Sequence, residues 1–287
     1  LVDEPTLQVP QAIAEEKDVR RLLLMASGTG IEQQWACALL RVMHVFAHAH
    51  SMLEGVHGEN IRTQILDRFQ PHIHQTPAGL RLGEGADAIP LMHWEMKSRK
   101  TPRSIALKLL CKAENVASPV FDRLGVRLIT EERFDTLLAI RYLRLNHVIM
   151  FANVVPGRSR NTLIDLSELE PQARALDDAV AEGRITAAER LTAMRALVGS
   201  LDTPERRVGY NPHTSTAYHS IQFTCRHLIR LGGEGALDRF FFPYEVQITD
   251  RHSHELTLRG TGSHDEYKAR QRQGAKERVL VNLLKHT

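Results

Sequence analysis

The sequence predicts an α/β (α+β) protein in which strands and helices share one chain, with a helical region at the N-terminal end. Three observations carry that expectation. Stretches at Leu91 to Arg99, Tyr218 to Arg226 and Tyr244 to Asp250 alternate with period two, as half-buried strands do. Stretches with helical apolar periodicity lie before and between them, above all Ile31 to Leu53. Helix-start signals stand at Thr101-Pro102, where the two patterns meet, and at Thr186 with Glu189 inside the helical stretch.

Composition narrows the class. A chain of 287 residues suits one large domain or two modest ones. Hydrophobic content of 43% and charged content of 25% are ordinary for a soluble globular protein. A net charge of +3 excludes a general polycation, so affinity for nucleotides or nucleic acid must come from a local patch. Cys37, Cys111 and Cys225 are scattered without metal or redox spacing, which fits reduced thiols in a cytoplasmic protein. No apolar run approaches membrane-spanning length and no signal peptide is visible, so no membrane partner is expected.

Taken in order, residues 1–88 read as mostly helical. Trp35, Leu39, Val42, Met43 and Phe46 form one broad apolar face. His44 and His48 have the i,i+4 spacing of a helical metal pair, but no acidic partner completes an H-E-x-x-H pattern. They read, with His50, His72 and His74, as surface or half-buried histidines. Ser27-Gly28-Thr29-Gly30 reads as a turn between helices.

After a loop at Gly83 to Ala88, the strand to Arg99 sets Met92, Trp94 and Met96 on one face and His93, Glu95, Lys97 and Arg99 on the other. A helix capped by Thr101 follows, with Ser104, Lys108 and Lys112 on one stripe and Ile105, Leu109 and Leu110 on the buried side. Cations at a strand end, then a helix N-terminus, then a basic stripe make a sensible polyphosphate cradle. Val126 to Ile129 reads as a buried strand. Asp122 before it suits a cap, a loop or a metal ligand at a sheet edge. Asn146 to Val155 reads as another strand. Residues 158–206 read as polar and helical, with a hairpin of Leu169 to Glu182 and Thr186 to Leu201 broken at Gly183. In the last strand Glu245, Gln247 and Thr249 face one way and Tyr244, Val246 and Ile248 the other. A polar tail without apolar rhythm follows.

Four separated motifs now stand in order. They are Lys100, Pro102, Ser104, Ile105 and Lys108; Asp122, Gly125 and Arg127; Tyr218, Ser220 and Ile221; and Glu245, Val246, Gln247 and Ile248 with His254, Gly260, His264, Tyr267 and Lys268. Together they resemble the synthetase domain of the RelA/SpoT-homologue family, the alarmone synthetases, over about residues 91–268. This chain departs from the family pattern at Ser98, Ala217, Gln222, Thr249 and Leu258. Lys97 and Arg99 bracket the first of these. The His-Asp pair of the family's hydrolase half is absent, so the resemblance is to its small synthetases.

The resemblance implies a nucleotidyltransferase-like mixed sheet flanked by helices, filling residues 89–287 after the helical region of 1–88, with a helical insertion at about 158–205. It implies a Mg²⁺-dependent pyrophosphokinase of the stringent response, moving the β,γ-pyrophosphate of ATP to the 3′-hydroxyl of GDP or GTP. Lys97, Arg99, Lys100, Ser104 and Lys108 would bind ATP, and Arg127 would stack on its adenine. Asp122 and Glu245 would hold Mg²⁺ and act in catalysis, Glu245 as the general base. Tyr218 would stack on the acceptor base, with Arg206, Arg207, Gln222 and His254 beside the acceptor. The departures leave room for another acceptor, an adenine nucleotide or the 3′ end of a tRNA, or for a catalytically inactive nucleotide-binding homologue. A homo-oligomer is compatible with the resemblance.

Overall fold

A computed structural model of the chain describes residues 8–49, 52–97, 101–111, 124–204, 218–232, 238–259 and 264–284. The helices, in chain order, are α1 (Gln11–Ala14), α2 (Val19–Ala26), α3 (Gly30–Ala49), α4 (Met52–Phe69), α5 (Pro102–Cys111), α6 (Arg133–Leu145), α7 (Leu166–Ala181), α8 (Ala187–Ser200), α9 (Arg251–Arg259) and α10 (His264–Val279). The strands are β1 (Ile73–Thr76), β2 (Gly79–Leu82), β3 (Ile89–Lys97), β4 (Gly125–Thr130), β5 (Val154–Asn161), β6 (Ile221–Arg230) and β7 (Arg239–Asp250). They form one mixed seven-stranded sheet in the order β1-β2-β3-β4-β7-β6-β5. β4 and β7 pair in parallel; the other pairs are antiparallel.

The chain forms two compact units. The helical unit gathers α1, α2, α3, the start of α4, α5 and α10. Its core joins Ile13, Leu22, Trp35 and Val45 to Ile105, Leu109 and Leu110 of α5 and to Ala275, Val279, Leu280 and Leu283. The expected cap holds: the Ser104 amide donates to Thr101 Oγ1 at 3.2 Å. The sheet unit holds the rest of α4, all the strands and α6 to α9. One face of its sheet buries Val126, Leu128, Phe223, Cys225, Tyr244, Val246 and Ile248 against Ile61, Ile65 and Phe69 of α4. The alternation seen at Tyr244, Val246 and Ile248 thus sorts the faces of β7 as expected.

Four expectations need correction. The units do not divide at residue 88, because α5 and α10 bury their apolar sides with the N-terminal helices. Residues 73–82 are a hairpin and not helical, turning at Pro77-Ala78 into Gly79, whose φ is +109°. The strand expected from Asn146 begins only at Val154; Val148 and Ile149 are buried in the core, but from a bend and not from a strand, and Met150 and Phe151 are exposed. It then runs to Asn161, into the stretch read as helical. The C-terminal polar tail is helical, as α9 and α10, with a core seam too sparse to show as rhythm.

The expected helical hairpin is present as α7 and α8, parted at Gly183 with φ +71° and started by the Thr186–Glu189 capping box. Met194, Val198 and Leu201 pack on Phe134, Leu163 and Leu169. Arg195 of α8 pairs with Glu132 and lies 3.0 Å from Asp135, a residue only 1% exposed. Burial raises the Asp135 pKa although Arg195 opposes it. A raised carboxyl pKa means that folding favours the protonated form, so stability falls as pH rises from the unfolded to the folded pKa. Arg195→Ala is expected to cost about 1–3 kcal/mol at neutral pH by stranding the carboxylate, and less in acid, where the carboxyl is protonated. Thermal melts at both pH values check it, and an equal cost at both would refute the ionic role.

Candidate functional site

The face of the sheet opposite the α4 core is polar across β3, β4, β7 and β6. Register explains the gathering. Glu95 and Lys97 of β3 pair with Arg127 and Gly125 of β4. Gly125 and Arg127 pair with Glu245 and Gln247 of β7. Gln247 and Glu245 pair with Gln222 and Thr224 of β6. The period-two alternation of each strand then sends these side chains to one side.

The contacts form a continuous chain. Lys97 Nζ lies 3.4 Å from Glu245 Oε2 and donates to Gln247 Oε1 at 2.5 Å. Arg127 Nε donates to the same Gln247 oxygen at 3.0 Å, and its Nη1 to Glu95 Oε1 at 2.9 Å. Gln222 Nε2 donates to the other Glu245 oxygen, Oε1. The Glu245 side chain is 13% exposed, so these charge-assisted bonds act in a partly desolvated setting. Gly125 leaves room for the span. A Cβ built there would stand 3.3 Å from Lys97 Cδ and 3.8 Å from Glu245 Cβ. The bare backbone lets the Lys97 stem cross it towards β7.

His254, on α9, adds a titratable group. Burial first, then the charges of Arg127 and His93, hold its imidazole below the ordinary range, against Glu95 and Glu255. Folding therefore favours the neutral ring. The stability this gives is present above the unfolded pKa and is lost as pH falls through the folded one.

Of the residues expected in the site, Lys97, Arg127, Gln222 and Glu245 come together on this face, and His254 is close enough to feel the Arg127 charge. Tyr218 is half-buried just before β6, where the Ser220 amide donates to Thr162 Oγ1 at 3.0 Å and anchors the chain. Ser104 and Lys108 lie on α5 in the helical unit, at the N-terminal turn and one turn on. Arg99, Lys100, Asp122, Arg206 and Arg207 lie outside the described residues. Glu95, Gly125 and Gln247 are site residues that the sequence reading did not assign. The alternation placing Lys97 also places Glu95, and that placing Glu245 also places Gln247, so the signal was present. Among the described residues, no group of three His, Cys, Asp or Glu side chains is arranged to hold a metal ion. On this face the carboxylates are Glu245, beside Lys97, and Glu95, beside Arg127, and such a sparse set suits an ion that takes one or two carboxylates and fills its shell from phosphate and water. Among the described residues, no helix is long and apolar enough to cross a membrane.

No protein-family model matches the chain, and no curated protein matches it. Among solved structures it is similar to small alarmone synthetase 2 from Bacillus subtilis, at 11% identity over 85% of this chain and 97% of that one, with a TM-score of 0.34. It is similar to small alarmone synthetase 1 from Bacillus subtilis bound to its product pppGpp, at 12% identity over 69% and 77%, with a TM-score of 0.32. It is similar also to a GTP pyrophosphokinase family protein from Streptococcus pneumoniae, at 11% identity over 82% and 87%, with a TM-score of 0.30. These likenesses are distant. What the chain does must be read from its own side chains.

The Arg127 charge can be tested directly. In Arg127→Ala the His254 pKa, followed by NMR titration, is expected to rise towards the ordinary histidine value. No movement would show that the Arg127 charge does not contribute.

Proposed function

We propose that the chain is a pyrophosphokinase of RelA/SpoT type that moves the β,γ-pyrophosphate of ATP to the 3′-hydroxyl of GDP or GTP. One observation carries the reading: Glu245 is held from both sides, by Lys97 and Gln222, on a sheet face that also fixes Arg127. A rigid carboxylate beside fixed cations is what this transfer needs.

In the reaction the acceptor 3′-oxygen attacks the β-phosphorus of ATP. The bond from that phosphorus to the α–β bridging oxygen breaks, and AMP leaves with the electron pair. The 3′-hydroxyl proton passes to Glu245. Lys97 has two tasks in this account. Before ATP binds, it holds the Glu245 carboxylate in place. Once ATP is bound, it turns to the triphosphate. Arg127 is tied at Nε and Nη1, which fixes the guanidinium plane, as stacking on adenine requires. Asp122 and Glu245 would hold Mg²⁺, which neutralises charge on the phosphate oxygens when bound. By the resemblance of their motifs alone, Arg99, Lys100, Ser104 and Lys108 would serve the triphosphate. Tyr218 stacks on the acceptor base, with Arg206, Arg207 and His254 beside the acceptor. The setting proposed is the cytoplasm, with no membrane partner.

The acceptor has a second reading. Gln222, where the family carries His, is taken up by Glu245, so the acceptor side differs from the family pattern and leaves an adenine nucleotide or a tRNA 3′ end as the alternative acceptor. Labelled ATP offered to GDP, GTP, ATP and tRNA decides between them. Transfer to a guanine nucleotide supports the main reading. ATP binding without transfer to any acceptor identifies an inactive homologue.

Glu245→Gln keeps shape and removes charge. It is expected to melt near the wild-type temperature, to bind ATP, and to lose roughly 10²–10⁴-fold in turnover from the missing base alone. A lower melting temperature with activity per folded molecule preserved would assign Glu245 a structural role instead.

A further inference from the structure

Gln247 occupies an unusual place on the polar face. It is 2% exposed, in the middle of the sheet on β7, and it carries no charge. Its single Oε1 accepts from Lys97 of β3 at 2.5 Å and from Arg127 of β4 at 3.0 Å. Two cations from different strands are thereby brought to one point. Left to themselves, like charges so close in a partly desolvated setting would separate. Each is also engaged on its far side, Lys97 by Glu245 and Arg127 by Glu95. The order along the face is carboxylate, cation, amide, cation, carboxylate.

The neutrality of the central acceptor matters. A carboxylate at position 247 would accept the same two hydrogen bonds with more energy, but it would cancel one of the charges it gathers. The amide fixes both cations and leaves their charge for a ligand. Glu245, at one end, is the partner that an arriving polyphosphate can replace, while Glu95 at the other keeps the Arg127 plane fixed.

We propose that Gln247 is a positioning residue that fixes Lys97 for the triphosphate and Arg127 for the adenine of one nucleotide, without neutralising either. This rests on the proposed function in taking a nucleoside triphosphate as the ligand, but its test reads binding and not transfer. Gln247 touches neither reacting atoms nor substrate in this account; it acts through the two cations.

The substitution Gln247→Glu separates positioning from mere satisfaction of buried donors. A structural acceptor role is met as well by a carboxylate, so stability should hold or rise. The positioning role requires neutrality, so affinity should fall. Isothermal titration with Mg·ATP and, separately, with inorganic tripolyphosphate measures it, alongside a thermal melt. Gln247→Glu is expected to melt at or above the wild-type temperature and to bind both probes roughly 10–100-fold more weakly, the worth of one charged hydrogen-bonded contact. Gln247→Met, which removes the acceptor, is expected to lose affinity and melting temperature together. Wild-type affinity in Gln247→Glu overturns the proposal. So does a wild-type protein that binds neither probe. A wild-type protein that binds both probes but transfers nothing sinks the proposed reaction and leaves the role of Gln247 standing on the affinities.

Discussion

The reach of Lys97 across Gly125 to β7 is the interaction on which the rest of the site depends. It joins three strands: β3 supplies the cation, β4 supplies the gap, and β7 supplies Glu245 and Gln247 as acceptors. Without the gap the lysine stem meets a Cβ. Without the cation the Glu245 carboxylate loses one of the two groups that orient it. Without Gln247 the lysine and Arg127 have no shared anchor. Each link is partly shielded from water, where a charge-assisted hydrogen bond is stronger than at an open surface.

The sheet order makes this possible. β4 and β7 are the central neighbours and run in parallel, which puts Gly125 beside Glu245 and Arg127 beside Gln247 in one register. The opposite face is closed by α4 and by the apolar alternates Val126, Leu128, Val246 and Ile248, all almost fully buried. A strand packed so tightly on one side has little freedom on the other, so a carboxylate on its polar face keeps a fixed height. Rigidity of the apolar side is thus what makes the polar side chemically specific.

Much of this was legible in the sequence, and the reason is period two. Alternation in the stretch from Tyr244 to Asp250 sorts Glu245 from Val246 correctly, and alternation to Lys97 sorts the cation from Trp94. Capping chemistry located α5 and α8 from Thr101 and Thr186. Three kinds of feature were not legible. Pairings between strands distant in sequence are set by topology, so the bond of Gln222 to Glu245 could not be read from either strand alone. The hairpin of β1 and β2 is short and carries His, Gln and Arg, which blurs its alternation. The grouping of α5 and α10 with the N-terminal helices depends on apolar residues scattered through polar segments, such as Ala275 and Val279.

The central claim is that a nucleoside triphosphate sits on the polar face of β3, β4, β7 and β6. Amide and side-chain NMR during titration with Mg·ATP tests it most directly. The largest shifts are expected on Glu95, Lys97, Arg127, Gln222, Glu245 and Gln247, with the side-chain amide of Gln247 among the first to move. Saturable binding that leaves these signals unmoved and shifts residues elsewhere would contradict it.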